Sequence, residues 1–169
     1  YLYNMPSHTK VFFEPQTVLA ASQIKNIVGL KDSSANMVYF HKLRLMFEKR
    51  DDFTLLVGPE ELLAETVLLG GHGGVCGGAN LYPRLFVNLY NAAKAGDLVT
   101  CRRLHRKVIQ ISSTIYSVGR YSSSFVKGLK CALSIKGICD DYLTDPFRRF
   151  KTPEREQIVK HLAEVEADM

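Results

Sequence analysis

Short apolar segments alternate with longer segments of helical character along the first half of the chain. The apolar segments lie at residues 1–4, 26–31, 53–58 and 73–77, and each has the length of a buried strand. Between them, apolar residues recur with helical spacing over 15–21, 35–49 and 59–69. This rhythm of strand and helix predicts βαβ units and a parallel sheet, and hence an α/β fold.

The second half of the chain carries helical patterns. Pro83 stands where a helix can begin, and Gly96-Asp97 ends that helix. A long helix is predicted over 98–116, another over 125–135 after a Gly- and Ser-rich connection, and a last one opening at Thr152. We therefore divide the chain into residues 1–96, which carry the strand ends, and residues 97–169, which are helical.

Chemically informative residues gather where the predicted strands end. Tyr3 closes the first strand and Lys31 the second, Glu60 follows the third, and Gly77 ends the fourth. Loops at the carboxyl ends of parallel strands converge over one mouth, so these residues are expected to lie together. Apolar surroundings disfavour the charged form of a lysine and free its amine as a nucleophile towards carbonyl compounds. The alternative for Lys31 is an ordinary surface lysine.

Composition and charge narrow the class of protein. The 169 residues are 46% hydrophobic and 23% charged, which is ordinary for a globular domain. The formal net charge of +5 admits an anionic partner, but the dense basic run 102–107 lies on the polar face of a predicted helix. We interpret it as a solvated face and predict no nucleic-acid binding. No apolar run has the length of a membrane span, so no membrane association is predicted.

The cysteines and histidines are scattered along the sequence. Cys76, Cys101, Cys131 and Cys139 show no paired spacing, which argues against a zinc site or a disulfide framework. Free thiols are typical of a reducing compartment, so we predict a cytoplasmic protein without a metal. Because Tyr1 begins inside a predicted strand, we expect the natural chain to extend upstream.

Three motifs resemble those of one known family. Tyr-Leu-Tyr-Asn-Met-Pro at 1–6, Gly-Leu-Lys-Asp-Ser-Ser at 29–34 and Gly-Gly-His-Gly-Gly-Val-Cys-Gly-Gly-Ala-Asn at 70–80 are similar, in order and spacing, to the dihydrodipicolinate synthase and N-acetylneuraminate lyase family. Its members are class I aldolases that act on pyruvate. The resemblance implies the second half of a (β/α)8 TIM barrel, strands 5 to 8, plus a C-terminal helical extension.

The resemblance also implies that the first half of the barrel is missing from these residues. The family holds the pyruvate carboxylate with a Gly-Thr-Thr or Gly-Ser-Thr loop in the first half of the barrel, which has no counterpart in these residues. A complete barrel needs about 250 residues. We therefore expect the rest of the barrel to lie in another part of the protein. A non-catalytic half-barrel, as a sensor or a self-associating unit, is the alternative.

Two residues inherit catalytic roles from the resemblance. Lys31 would attack the ketone of a 2-oxo acid and form an imine whose protonated nitrogen is an electron sink. Tyr3 would carry protons at the imine and at the substrate hydroxyl. The alternative for Tyr3 is a core aromatic with a satisfied hydroxyl.

Four further residues match substrate-binding positions of the family. The Ser33 hydroxyl would bond the second substrate or its leaving oxygen, unless it caps a helix. Glu60 would contact sugar hydroxyls, unless it serves only as a first-turn acid. The main chain around Val75 and Gly77 would approach the reacting end of the substrate, with Asn80 supporting that loop.

The predicted substrate class depends on an Arg of dihydrodipicolinate synthases that this chain does not have. Dihydrodipicolinate synthases carry an Arg after the fifth strand for the second substrate's carboxylate, whereas this chain has Ser7-His8-Thr9-Lys10 there and no Arg before Lys31. The motifs look closest to 2-keto-3-deoxy sugar-acid aldolases. We therefore predict a Schiff-base lyase that joins or cleaves pyruvate and an aldehyde, on a 2-oxo-3-deoxy sugar acid. The alternative is 4-hydroxy-tetrahydrodipicolinate synthase, with His8 or Lys10 replacing the Arg. The resemblance implies a homotetramer without an organic cofactor.

Overall fold

Four parallel strands form the sheet around which the first half of the chain is built. The structure is a computed structural model that describes residues 1–167. The strands follow one another across the sheet in chain order. They are β1 (Leu2–Asn4), β2 (Gly29–Asp32), β3 (Thr54–Val57) and β4 (Gly73–Gly74). The predicted α/β fold with a parallel sheet is therefore confirmed.

Helices connect the strands and make up the second half of the chain. They are α1 (Pro6–Thr9), α2 (Pro15–Ala21), α3 (Met37–Met46), α4 (Leu63–Leu68), α5 (Pro83–Lys94), α6 (Leu98–Thr114), α7 (Ser124–Ile135) and α8 (Thr152–Ala167). Short 3₁₀ helices lie at Glu60–Leu62, Gly77–Asn80 and Ile115–Ser117. Helix α1 was not predicted, since four residues are too few to show a helical period. None of the helices in residues 1–167 is long and apolar enough to cross a bilayer.

The predicted strand bounds were wrong at two places. Strand β2 covers Gly29–Asp32 rather than 26–31, because the Ile27 N–H donates to the Ile24 carbonyl and closes a turn before the strand. Strand β4 ends at Gly74 rather than 77, because Gly77 already begins a 3₁₀ helix. Tyr3 and Lys31 are consequently the penultimate residues of their strands, not the last.

The helix predicted over 35–49 is shorter at both ends. Ala35 has a left-handed φ of 60°, which no α-helix contains. Asn36 then caps α3 by accepting a hydrogen bond from the Tyr39 N–H at 3.0 Å. The helix ends at Met46.

Successive side chains of each strand point to opposite faces of the sheet, and one of these faces packs in the hydrophobic core. Leu30, Leu55 and Val57 are almost fully buried and pack with residues of α3 such as Phe40 and Leu43. The intervening positions, which include Tyr3 and Lys31, point to the opposite side because successive side chains of a strand alternate. The pair predicted to be catalytic therefore lies on the face away from this hydrophobic core.

The chain forms two compact units, each described by itself. The first contains residues 1–76 and 89–101, with the whole sheet; the second contains 77–88 and the residues from 102 onward. In the second unit, α7 lies against the turn before it so closely that a Cβ on Gly128 would be 2.1 Å from the Ile115 carbonyl oxygen. The Tyr116 and Phe125 rings meet edge to face at 4.7 Å nearby.

Helix α6 has the predicted two faces. Leu104, Val108 and Ile111 are buried, whereas Arg102 and Arg106 are exposed. The predicted position of the basic run on the polar, exposed face of the helix is confirmed. Leu98, at the start of the helix, is half exposed although it is apolar.

Candidate active site

Tyr3 and Lys31 lie side by side on neighbouring strands. They are register partners in the β1–β2 ladder, and the Lys31 Nζ is 4.5 Å from the centroid of the Tyr3 ring. On its other side Lys31 is paired in register with Leu56 of β3. The amine therefore lies against the face of the Tyr3 ring, while half of Tyr3 remains accessible.

The next residue of each strand is polar and buried. Asn4 and Asp32 are 1% and 2% exposed, and the Asn4 Nδ2 donates to the Asp32 Oδ1 at 2.8 Å. Asp32 also accepts from the backbone N–H of Ser34 at 3.1 Å and from the Ser34 Oγ at 2.9 Å. Sequence reasoning quoted both residues as parts of motifs but assigned them no role.

A second layer of hydrogen bonds holds this polar pair. The Phe13 N–H donates to the Asn4 Oδ1 at 3.2 Å, and the Phe13 carbonyl accepts from the Tyr39 hydroxyl at 2.7 Å. Burial raises the pKa of Tyr39 well above its usual range, and the negative charges of Asp32 and Glu14 add to that effect. Tyr39 therefore stays protonated and remains a hydrogen-bond donor.

Ser33 lies against the third strand end. Its backbone N–H donates to the Asn4 carbonyl at 2.8 Å, and the Gly58 N–H donates to the Asp32 carbonyl at 2.7 Å. A Cβ built on Gly58 would be 1.9 Å from the Ser33 Oγ. Glycine at position 58 is what allows the Ser33 side chain to occupy this place, a requirement that sequence reasoning did not detect.

The residues after β4 leave fewer free backbone groups for binding a ligand than their glycine-rich sequence suggests. The Val75 N–H donates to the Val57 carbonyl at 2.9 Å, so Val75 has only its carbonyl and its exposed side chain to offer a ligand. The pKa of the neighbouring Cys76 thiol is raised to about 12, chiefly by burial and also by the negative charges of Glu60 and Glu61, while Lys31 acts in the opposite direction. These charged groups are therefore close enough to Cys76 to affect it.

Glu60 and Gly77 have structural explanations beside their predicted roles. Glu60 is only 3% exposed, within the 3₁₀ helix that follows β3. In the second unit, a Cβ on Gly77 would be 2.6 Å from the Phe125 ring, so packing alone requires glycine there. The Asn80 Nδ2 donates to the Gly77 carbonyl at 2.8 Å, which confirms that Asn80 supports this loop.

The loop after β1 contains Lys10 and His8, the two residues that could replace the Arg of dihydrodipicolinate synthases. One of them, Lys10, is already engaged in a hydrogen bond within the loop. The Lys10 Nζ donates to the Ser7 carbonyl at 2.7 Å and thereby closes helix α1. His8 is exposed in the same helix. In the part of the chain that the structure describes, no group of three His, Cys, Asp or Glu side chains is placed to hold a metal ion.

The lysine and the tyrosine lie side by side near the carboxyl ends of adjoining strands, as the resemblance of the sequence motifs led us to expect. The model of the dihydrodipicolinate synthetase family matches residues 1–165. The chain belongs to this family.

Relatives within the family differ in the activity that their names state. A dihydrodipicolinate synthase structure from Bacteroides thetaiotaomicron is 55% identical and superposes with a TM-score of 0.93, over 96% of this chain and 55% of that one. The Escherichia coli prophage protein YagE, solved in complex with pyruvate, is 27% identical with a TM-score of 0.86, over 98% of this chain and 55% of that one. A probable 2-dehydro-3-deoxy-D-pentonate aldolase from Escherichia coli is 33% identical over 81% of this chain and 45% of its own length. The chain thus spans about half the length of these relatives.

Proposed function

We propose that the full-length protein is a Schiff-base-forming (class I) carbon–carbon lyase in which Lys31 attacks the ketone of pyruvate or of a longer 2-oxo acid. The observation that carries this proposal is the Tyr3–Lys31 pair, with the lysine Nζ 4.5 Å from the ring centroid. Family membership and the pyruvate bound to YagE support it.

The chemistry divides between the two side chains. The neutral Lys31 amine adds to the ketone carbon, Tyr3 donates the proton with which the carbonyl oxygen leaves as water, and a protonated imine and the Tyr3 phenolate remain. When the substrate is cleaved, the electron pair of the breaking carbon–carbon bond moves into this imine and gives an enamine. Tyr3 takes the proton from the hydroxyl that becomes the aldehyde. Protonation of the enamine and hydrolysis of the imine then release pyruvate and free Lys31.

We further propose that β1–β4 are strands 5 to 8 of a (β/α)8 barrel. The sequential strand order and the share of each relative that the chain spans support this assignment. Residues 1–96 would then carry the catalytic strand ends, and residues 97–169 the last barrel helix and the C-terminal helices. The proposal includes a homotetramer, and a cytoplasmic location that suits four free thiols.

The proposed substrate is a 2-oxo-3-deoxy sugar acid. Its support is the absence of any Arg between Tyr3 and Lys31, the engagement of Lys10 with Ser7, and the name of the pentonate aldolase relative. Proposed substrate contacts are the Ser33 hydroxyl, Glu60, and the main chain at Val75 and Gly77. The second candidate is 4-hydroxy-tetrahydrodipicolinate synthase, which the 55% identical Bacteroides protein favours by its name.

Trapping of the imine tests the proposed reaction. Full-length protein treated with pyruvate and borohydride is expected to gain one reduced pyruvyl group, which peptide mapping assigns to Lys31. Lys31→Arg keeps the positive charge but lacks the nucleophile, so it should gain none, whereas the exposed-lysine control Lys49→Arg should label like wild type. Labelling spread over several lysines, or undiminished in Lys31→Arg, would refute the proposal.

A pair of assays separates the two candidate substrates. Pyruvate release is measured with 2-oxo-3-deoxy sugar acids of five and six carbons, and condensation is measured with pyruvate and aspartate semialdehyde. Faster turnover of a sugar acid supports the first candidate, and faster condensation with the semialdehyde supports the second.

A further inference from the structure

The buried Asn4–Asp32 pair is a polar cluster that the proposed reaction does not use. The two residues are register partners, one position beyond the Tyr3–Lys31 pair. Because side chains alternate along a strand, they occupy the core side of the sheet directly behind the amine and the phenol. The cluster thus directly adjoins the reactive pair along both strands but lies on the opposite face of the sheet from the substrate.

The carboxylate of Asp32 is held only by neutral donors. Its three hydrogen bonds come from the Asn4 Nδ2 and from the backbone and hydroxyl of Ser34. Within residues 1–167 no cationic side chain forms an ion pair with it. Burial of a carboxylate without a counter-charge is costly, and apolar residues of the same size often give equal stability. Stability alone therefore gives little reason for an acid at this position.

The orientation of Asn4 is fixed from its other side. The Asn4 Oδ1 accepts from the Phe13 N–H, and the Phe13 carbonyl is held by the Tyr39 hydroxyl. A flip of the amide would turn its NH2 group towards the Phe13 N–H and its oxygen towards the carboxylate of Asp32. The Asn4 Nδ2 must consequently point at Asp32, and the bond between them has a single arrangement.

The hydrogen bond between Asn4 and Asp32 lies at the end of the short pairing between β1 and β2. Strand β1 contributes only three residues to the sheet, and Asn4 opposite Asp32 is the last pair of the ladder. Beyond it, the Ser33 N–H still donates to the Asn4 carbonyl. We propose that Asp32, acting through Asn4, is a positioning residue that sets the separation of the Tyr3 phenol and the Lys31 amine. The proposal rests on the Schiff-base function proposed above.

Two variants break and restore the bond with matched chemistry. Asn4→Asp sets two carboxylates against each other. In the exchanged variant Asn4→Asp/Asp32→Asn, the amide NH2 at position 32 takes the place of the Asp32 Oδ1 and donates to the carboxylate at position 4, which still accepts from the Phe13 N–H. The exchange loses the hydrogen bond from the Ser34 N–H, which has the same oxygen as its acceptor. Asp51→Asn is the control, since it makes the same carboxylate-to-amide change at an exposed site.

The readout is the rate at which full-length protein forms the borohydride-trapped pyruvyl adduct at Lys31, together with kcat, KM and thermal stability. We expect Asn4→Asp to slow adduct formation by about 100-fold, the cost of displacing a reacting group by about 1 Å. The exchanged variant is expected within about fivefold of wild type by the same reasoning. The loss should fall on kcat and leave the KM for pyruvate nearly unchanged, because neither side chain lies on the substrate side of the sheet. Asp51→Asn should match wild type throughout.

The outcomes separate this proposal from the one on which it rests. If wild-type protein forms no adduct at Lys31, the Schiff-base function itself fails. If wild type forms it, and folded Asn4→Asp reacts equally fast or the folded exchanged variant stays as slow as Asn4→Asp, only the positioning role is overturned. Should Asn4→Asp not fold, Asn4→Leu/Asp32→Leu takes its place: slow adduct formation by a folded protein supports the proposal, and a wild-type rate overturns it.

Discussion

Replacement of Gly58 by alanine should destabilise the sheet where three strand ends meet. The added methyl would lie 1.9 Å from the Ser33 Oγ, 2.8 Å from its Cβ and 3.1 Å from its Cα. Rotation of the Ser33 side chain relieves only the first of these contacts, so the backbone of position 33 must move. Overpacking of this kind costs about 1–3 kcal/mol.

The effect is measurable as stability and as rate. A loss of about 2 kcal/mol lowers the Tm of a complete barrel of about 250 residues by about 4 °C. Because Ser33 follows Lys31 by two residues, displacement of its backbone should also slow formation of the pyruvyl adduct. Thermal unfolding and borohydride trapping on the full-length protein record both effects.

A double-mutant cycle identifies the cause. Ser33→Gly removes two of the three close atoms, so Gly58→Ala should cost at least about 1 kcal/mol less in its presence. Gly96→Ala is the control, since nothing lies within 4 Å of its Cβ and its cost arises from a φ of +71° alone; it should add independently to Ser33→Gly. A Gly58→Ala variant as stable as wild type, or additive with Ser33→Gly, would refute the steric reasoning.

Three further predictions follow from single features. Gly128→Ala should unfold more readily than Gly58→Ala, because the added Cβ meets the backbone oxygen of Ile115 at 2.1 Å; equal chemical-denaturation midpoints would contradict this. Asn36→Ala should lose about 1 kcal/mol with the cap of α3, and Asn36→Asp should keep most of it; equal losses would show that the cap contributes nothing. The pKa of Cys76 is raised to about 12, so Cys76 should resist iodoacetamide in mildly alkaline buffer and react faster as the pH approaches 12. The exposed Cys139 should react at once under both conditions. Equal rates for the two thiols would contradict the raised pKa.

The adjacency of Tyr3 and Lys31 could be predicted because it depends on topology alone. Residues at the carboxyl ends of parallel strands meet whatever the details of packing. Lys31 was predicted to end its strand, and Tyr3 to close the first, but one more strand residue follows each of them. Asn4 and Asp32 are polar residues at or just beyond the ends of predicted strands, where a polar side chain is expected to be exposed. Their burial depends on the hydrogen bond between them and on those from Phe13 and Ser34. The bond between Asn4 and Asp32 joins distant parts of the sequence, so local sequence does not reveal it.

Other features have no local signal at all. The His72 Nδ1 accepts the Leu55 N–H at 3.0 Å, so a side chain replaces a backbone carbonyl at the edge of β3. Gly77 sits in a glycine-rich run that suggests close approach to a ligand, yet the ring of Phe125 already requires the glycine. In each case the reason lies in a partner that the neighbouring sequence does not reveal.

The sequential order of the strands bears on how the protein is made. Leu2 pairs with Leu30, Leu30 with Leu55, and Leu56 with Gly73, so the partners in each new pairing are only 28, 25 and 17 residues apart. A ribosome that releases the chain from its amino end therefore exposes each strand just after the edge it will join has formed, and low contact order favours rapid assembly. Growth in one direction always leaves one fresh edge open, and during synthesis that edge is where a second nascent chain could pair in error.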